Sequence, residues 1–198
     1  DDAGAGEGLA GDFGTLKELD TAQTDAFFDF PVRNLIIRAW QHAIARFDVD
    51  GFRVDTLKHV ERDFALTFCN AVREYAAAIG KRNFFIFGES RSADEAVLAA
   101  YTGRFTHDPE GEMGADAALD FPLQAALAPV AKGFDPPSSL SAFFQRRRDI
   151  HQTHHLYSTH GEASRFFVTF LDTHDEHQRF LCPRDGGDWT AQLQLAVA

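Results

Sequence analysis

Gly51-Phe52-Arg53-Val54-Asp55-Thr56-Leu57-Lys58-His59-Val60 decides how this chain is read. The approach to it, Phe47 to Val54, alternates and is rich in Val and Phe, as a short strand should be. A helical run from Glu61 to Ala78 follows. The local unit is therefore strand, loop, helix, with Asp55 at the carboxyl end of the strand. Two cations and a carboxylate rarely gather there for packing. In a parallel α/β barrel that end is where active-site groups are mounted.

The same unit recurs along the chain. Upstream, a helix is expected from about Pro31 to Arg46, with apolar residues at Val32, Leu35, Ile36, Ala39, Trp40, Ala43 and Ile44 and a proline suited to its first turn. Downstream, Phe84-Phe85-Ile86-Phe87 reads as a fully buried strand and ends in Gly88-Glu89-Ser90. A helix from about Ala93 to Tyr101, a short strand from Ala117 to Phe121, a helical stretch from Ser139 to Gln152 and a strand from Arg165 to Leu171 come next. That last strand finishes in Asp172-Thr173-His174-Asp175, and the tail from Trp189 begins another helix. Strands separated by helices, with no hairpin signals between them, imply a parallel sheet with crossover helices. Asp55, Glu89 and Asp175 then stand at equivalent ends of three strands, where they would converge on one mouth.

Residues 1–14 are Gly, Ala and acidic residues without periodicity and read as a loop or linker, leaving 15–198 as the α/β domain. Gly6, Gly8 and Gly11 match the letters of the dinucleotide fingerprint, but no strand can precede them, so the match is accidental. A net charge of -11 over 198 residues argues against a nucleic-acid partner, which needs a concentrated basic face. The basic cluster Arg146-Arg147-Arg148 reads as a solvated helix face. No apolar run approaches membrane-spanning length, and Cys69 and Cys182 are too few for a disulfide framework, Cys69 reading as a small packed residue. Neither observation fixes a compartment. His151, His154, His155, His160, His174 and His177 invite a metal reading, but the first four read as a polar helix end and loop, so no metal site is assigned. Asp120 reads as structural, Asp172 as a local cap, and Ser90 lacks a paired His and acid.

Cleaving a glycosidic bond with retention needs one carboxylate as nucleophile and one carboxylic acid as proton donor, about 5 Å apart. Adjacent barrel strands supply that spacing. Arg53, two residues before Asp55 and on the same strand face, could hold Asp55 ionised, while the apolar strand before Glu89 could raise its pKa. Taken singly, each carboxylate is more often a helix N-cap than a catalyst, and Lys58 and His59 could be solvated residues of a first helical turn.

Together, Gly51 to Val60, Phe87-Gly88-Glu89 and Phe170-Leu171-Asp172-Thr173-His174-Asp175 resemble, in order and spacing, the second, third and fourth sequence motifs of the alpha-amylase family, glycoside hydrolase family thirteen. Gly14 to Asp25 resembles the stretch leading into the third barrel helix. The resemblance implies a (β/α)8 barrel, present here as about strands four to seven. It implies Asp55 as nucleophile, Glu89 as general acid and then base, and Asp175 as the carboxylate that holds sugar hydroxyls and steadies the transition state. Arg53 and His174 would orient these groups, and Lys58 and His59 would line the leaving-group side. The substrate would be an α-glucan or malto-oligosaccharide.

Thr173 stands where the family usually has Asn, and no first motif or eighth strand is found. The chain is therefore expected to be an internal part of a longer enzyme, inactive on its own or needing a complementing chain. No cofactor is needed for the chemistry, although structural calcium is common in the family. Two other readings stay open: a glucan or sucrose-type transglycosylase using the same carboxylates, and a non-catalytic amylase-like binding protein. The intact Asp55, Glu89 and Asp175 speak against the second.

Overall fold

A computed structural model describes residues 19–103, 113–154, 163–175, 179–181 and 187–197. The expected linker at 1–14, the stretch from Thr15 to Glu18, Cys182, His155, His160 and His177 lie outside the described residues, as do the side chains of His151 and His154. The elements are α1 (Pro31–Phe47), β1 (Gly51–Val54), α2 (Arg62–Ala78), β2 (Phe85–Gly88), α3 (Glu95–Ala99), β3 (Ala117–Leu119), α4 (Phe121–Ala131), α5 (Ser138–His154), β4 (Phe167–Val168) and α6 (Thr190–Val197). Single 3-10 turns cover Leu57–His59 and Ala163–Phe166. The strands form one sheet in the order β1-β2-β3-β4, and every pairing is parallel, as the helix-separated pattern required.

The best-ordered register is that between β1 and β2, where Gly51 to Val54 lie opposite Phe85 to Gly88 in unbroken succession. Gly51 fits this pairing because it lacks a side chain: a Cβ there would stand 2.3 Å from the Phe85 carbonyl oxygen. Helices α1 and α2 cover this half of the sheet. Ile37 and Ile44 from α1, Phe64, Phe68, Cys69 and Val72 from α2, and Ile86 from β2 form one buried cluster. Phe52 meets Trp40 and Phe84 edge-on, each at 5.2 Å between ring centroids. Cys69 is fully buried, as expected, and burial pushes its thiol up to about 12. On α1 the buried stripe is narrower than the sequence suggests, since Leu35 and Trp40 are exposed.

Three differences from the sequence expectations meet in one region. Strand β3 stops at Leu119: the Asp120 amide still reaches the Val168 carbonyl at 3.1 Å, but its side chain caps α4, accepting from the Leu123 amide at 3.1 Å. Strand β4 is reduced to Phe167–Val168, with Arg165 and Phe166 wound into a 3-10 turn. Arg147, expected on a solvated face, is 2% exposed. It donates to both Asp120 carboxylate oxygens, at 2.7 and 2.5 Å, and reaches Glu95 at 3.4 Å. Its guanidinium also lies 3.8 Å over the Phe167 ring. One buried cation thus ties α3, the end of β3, α5 and β4 together. A buried arginine needs such carboxylates, because an unpaired charge there would be heavily penalised. Asp120 is structural, as expected, and Asp172 acts locally, accepting from the Phe180 amide at 2.9 Å.

Candidate active site

The carboxyl ends of β1 and β2 adjoin, and the backbone there is bonded in both directions. The Glu89 amide donates to the Val54 carbonyl at 2.8 Å, and the Leu57 amide donates to the Glu89 carbonyl at 2.7 Å. Asp55 lies between those two anchors. Arg53 points to the same face as Asp55, because side chains two apart on a strand share a face. Its guanidinium spans two carboxylates: one nitrogen meets Asp55 Oδ1 at 2.7 Å and the other meets Glu89 Oε2 at 2.8 Å. The side chain of Asp55 is 63% exposed and that of Glu89 only 11%. One carboxylate therefore faces the mouth and the other is sunk beside it.

This asymmetry separates their protonation. The hydrogen bond that Glu89 donates holds the Asp55 carboxyl below the usual carboxylate range, against the effect of partial burial, and the positive charges of Arg53 and His174 add to it. Burial pushes Glu89 up to about 7, helped by its hydrogen bond to Asp55 and by the negative charges of Asp55 and Asp175, while Arg53 opposes the shift. Below about pH 7 the pair keeps one proton, held by Glu89. Two titratable groups driven apart in this way are the arrangement a nucleophile and a proton donor require.

The remaining expected residues take different places. Asp175 and His174 follow β4, exposed and paired to each other at 3.1 Å, and their charges reach Glu89 and Asp55 respectively. The structure thus brings all three carboxylates into one electrostatic group, with Arg53 in direct contact with two of them. Lys58 is 3% exposed and donates from its ammonium to the Arg91 carbonyl at 2.9 Å, so it is not a solvated residue. His59 is half-buried, with Nδ1 enclosed and without a hydrogen-bond partner among the described residues. The Arg91 carbonyl gave no signal in the sequence, since any residue supplies one. Glu95 and the buried role of Arg147 were also missed, and both belong to the structural network around Asp120 rather than to this site. Among the described residues no group of His, Cys, Asp and Glu is placed to hold a metal ion.

A parallel α/β sheet with two carboxyl groups at adjacent strand ends, one held ionised and one pushed toward protonation, has the arrangement that a glycosidase-type site requires. No protein-family model matches the chain. It is 34% identical over 176 residues to an alpha-amylase of Streptomyces lividans, covering 88% of this chain and 17% of that protein. It is 26% identical over 129 residues to the cyclomaltodextrin glucanotransferase of Klebsiella oxytoca, covering 64% of this chain and 18% of that protein. Its fold matches an alpha-amylase from Geobacillus thermoleovorans, solved in complex with acarbose, with a TM-score of 0.60 and 25% identity over 84% of this chain and 33% of the other. The chain belongs to the alpha-amylase family and carries part of its (β/α)8 barrel. It spans less than a fifth of the length of these two curated relatives.

Proposed function

We propose that the protein containing this chain cleaves α-glucosidic bonds of starch-like or malto-oligosaccharide substrates by a retaining double displacement. The observation that carries this reading is the single guanidinium of Arg53 bonded to both Asp55 and Glu89. It holds the two carboxyl groups on one side chain, which favours the short separation of a retaining pair over the wider one of an inverting pair. Asp55 is the nucleophile: ionised and open to the mouth, it attacks the anomeric carbon as the bond to the leaving oxygen breaks. Glu89 gives its proton to that oxygen. In the second half-reaction Glu89 takes a proton from the incoming water or sugar hydroxyl, and the bond to Asp55 is broken. Asp175, with His174 beside it, holds the sugar at the mouth, and Arg53 keeps the carboxyl groups in register. Lys58 and His59 lie on the leaving-group side, Lys58 through the loop it fixes.

Hydrolysis of a nitrophenyl α-malto-oligosaccharide by the longer parent protein tests the assignment. Asp55→Asn is expected to lower kcat at least about a thousandfold, and Glu89→Gln by about a hundredfold or more. Both variants keeping the parent rate would overturn it. Because Glu89 must be protonated to act, activity is expected to fall as pH rises through about 7. The acid limb, set by Asp55, is expected to lie below the ordinary carboxylate range. A second reading, transglycosylation, is favoured by the likeness to the Klebsiella glucanotransferase. It predicts oligosaccharides longer than the substrate at high substrate concentration, through the same Asp55 intermediate. A well-folded but inactive parent would point instead to a binding protein.

A further inference from the structure

The loop after β1 contains a backbone feature that the chemistry above does not explain. Thr56 has φ 50° and ψ 37°, the left-handed region, which β-branched residues rarely adopt. A non-glycine residue held there persists only where its surroundings over-determine it, and such residues gather at functional sites. The surroundings are visible. The chain turns back at Thr56, so that the Leu57 amide meets the Glu89 carbonyl at 2.7 Å and the His59 amide closes on the Thr56 carbonyl at 2.9 Å. The Leu57 side chain is 2% exposed and is seated against Gly88. A Cβ on Gly88 would come within 2.2 Å of Leu57 Cδ2. One residue further, the Lys58 ammonium holds the Arg91 carbonyl at 2.9 Å. Two consecutive residues, Leu57 and Lys58, thus grip the segment from Gly88 to Arg91.

We propose that Leu57, delivered by the left-handed Thr56, is a positioning residue for Glu89, fixing that carboxyl against Asp55 by its amide and by its seat on Gly88. The inference rests on Glu89 being the proton donor. Glu89 is bonded through its amide to the residue before Asp55 and through its carbonyl to the second residue after it. The loop therefore sets the separation of the two carboxyl groups independently of Arg53. Leu57 touches neither the substrate nor the reacting atoms in this account. It acts through the peptide of Glu89.

The test is made in the longer parent protein, with the nitrophenyl malto-oligosaccharide and with Glu89→Gln measured alongside. Leu57→Ala empties the seat and lets the loop relax. It is expected to lower kcat about tenfold with KM changed less than about twofold. It is also expected to move the alkaline limb of the pH profile to lower pH, as water reaches Glu89 and weakens the effect of burial. Gly88→Ala, which pushes Leu57 off its seat from the opposite side, is expected to give the same kcat loss. Combining the two changes restores room for both methyl groups and is expected to recover most of kcat. A purely structural role predicts lower thermal stability with an unmoved pH limb and no recovery in the pair, and that result overturns the proposal. Should Gly88→Ala fail to fold, the pH limb of Leu57→Ala decides alone. If Glu89→Gln kept its rate, the acid assignment itself would be lost, whereas a dead Glu89→Gln beside an unchanged Leu57→Ala would remove only the positioning role.

Discussion

Under the proposed assignment, Glu89 is where catalysis and stability oppose each other. A carboxyl whose pKa is raised on folding, here from 4.5 to about 7, binds its proton more tightly in the folded state. Folding is therefore unhindered by this group below about pH 4.5, and the penalty grows as pH rises through about 7. Glu89→Gln removes the titration while keeping the shape. It is expected to be as stable as the parent at pH 4 and more stable at pH 8, by on the order of 2 kcal/mol. Thermal melts at the two pH values check this, and equal shifts at both would show that Glu89 is not held protonated. The sequence singled this residue out only in company with Asp55 and Asp175 and by its motif, since a lone carboxylate after a strand is more often a helix cap. Arg147 was not legible, because its partners Asp120 and Glu95 lie 27 and 52 positions away and no local pattern points to them. Three consecutive arginines look like a solvated face, and only tertiary contact singles out the middle one.

At the level of elements, the structure divides into two halves held by different means. Helices α1 and α2 are joined to β1 and β2 by an apolar cluster, the kind of packing that periodicity reveals. The order of elements is the expected one, but Phe47 closes α1 rather than opening β1, and β2, expected to be fully buried, leaves Phe85 exposed. The half built from α3, α4, α5, β3 and β4 is held by the Arg147 network, where burial pushes the Glu95 carboxyl up against the pull of Arg147. There the strand ends were misjudged: the Asp120 amide still bonds to Val168, but its side chain caps α4 and pairs with Arg147, and the helix begins at Phe121. Arg147→Ala would leave Asp120, 1% exposed, without its cation. The expected loss is about 3 kcal/mol or more in urea unfolding. Asp120→Ala loses the same pair together with the α4 cap, so the double variant should cost clearly less than the sum of the two. Additive costs would mean that the bidentate contact contributes little.

For the whole molecule, what matters is that β1 and β4 each pair on one side only among the described residues. A barrel closes by joining such edges, and an open parallel edge offers a row of unpaired backbone groups to any extended chain. Apolar side chains add to this: Phe27, Phe28, Leu35 and Phe47 are each more than two-thirds exposed. In the family the site is complete only when the other strands of the barrel surround it. Arg53 bridges Asp55 and Glu89 here, yet under the proposed assignment a sugar bound at Asp55 would be contacted from one side of the ring of strands. The 198-residue chain by itself is therefore expected to give no measurable release of nitrophenol where the longer parent does, and to self-associate with rising concentration in sedimentation velocity. A monodisperse monomer that turned over substrate would show that four strands suffice. In that event the Arg53 bridge and the loop after Asp55 would have to fix the two carboxyl groups without support from the remainder of a barrel.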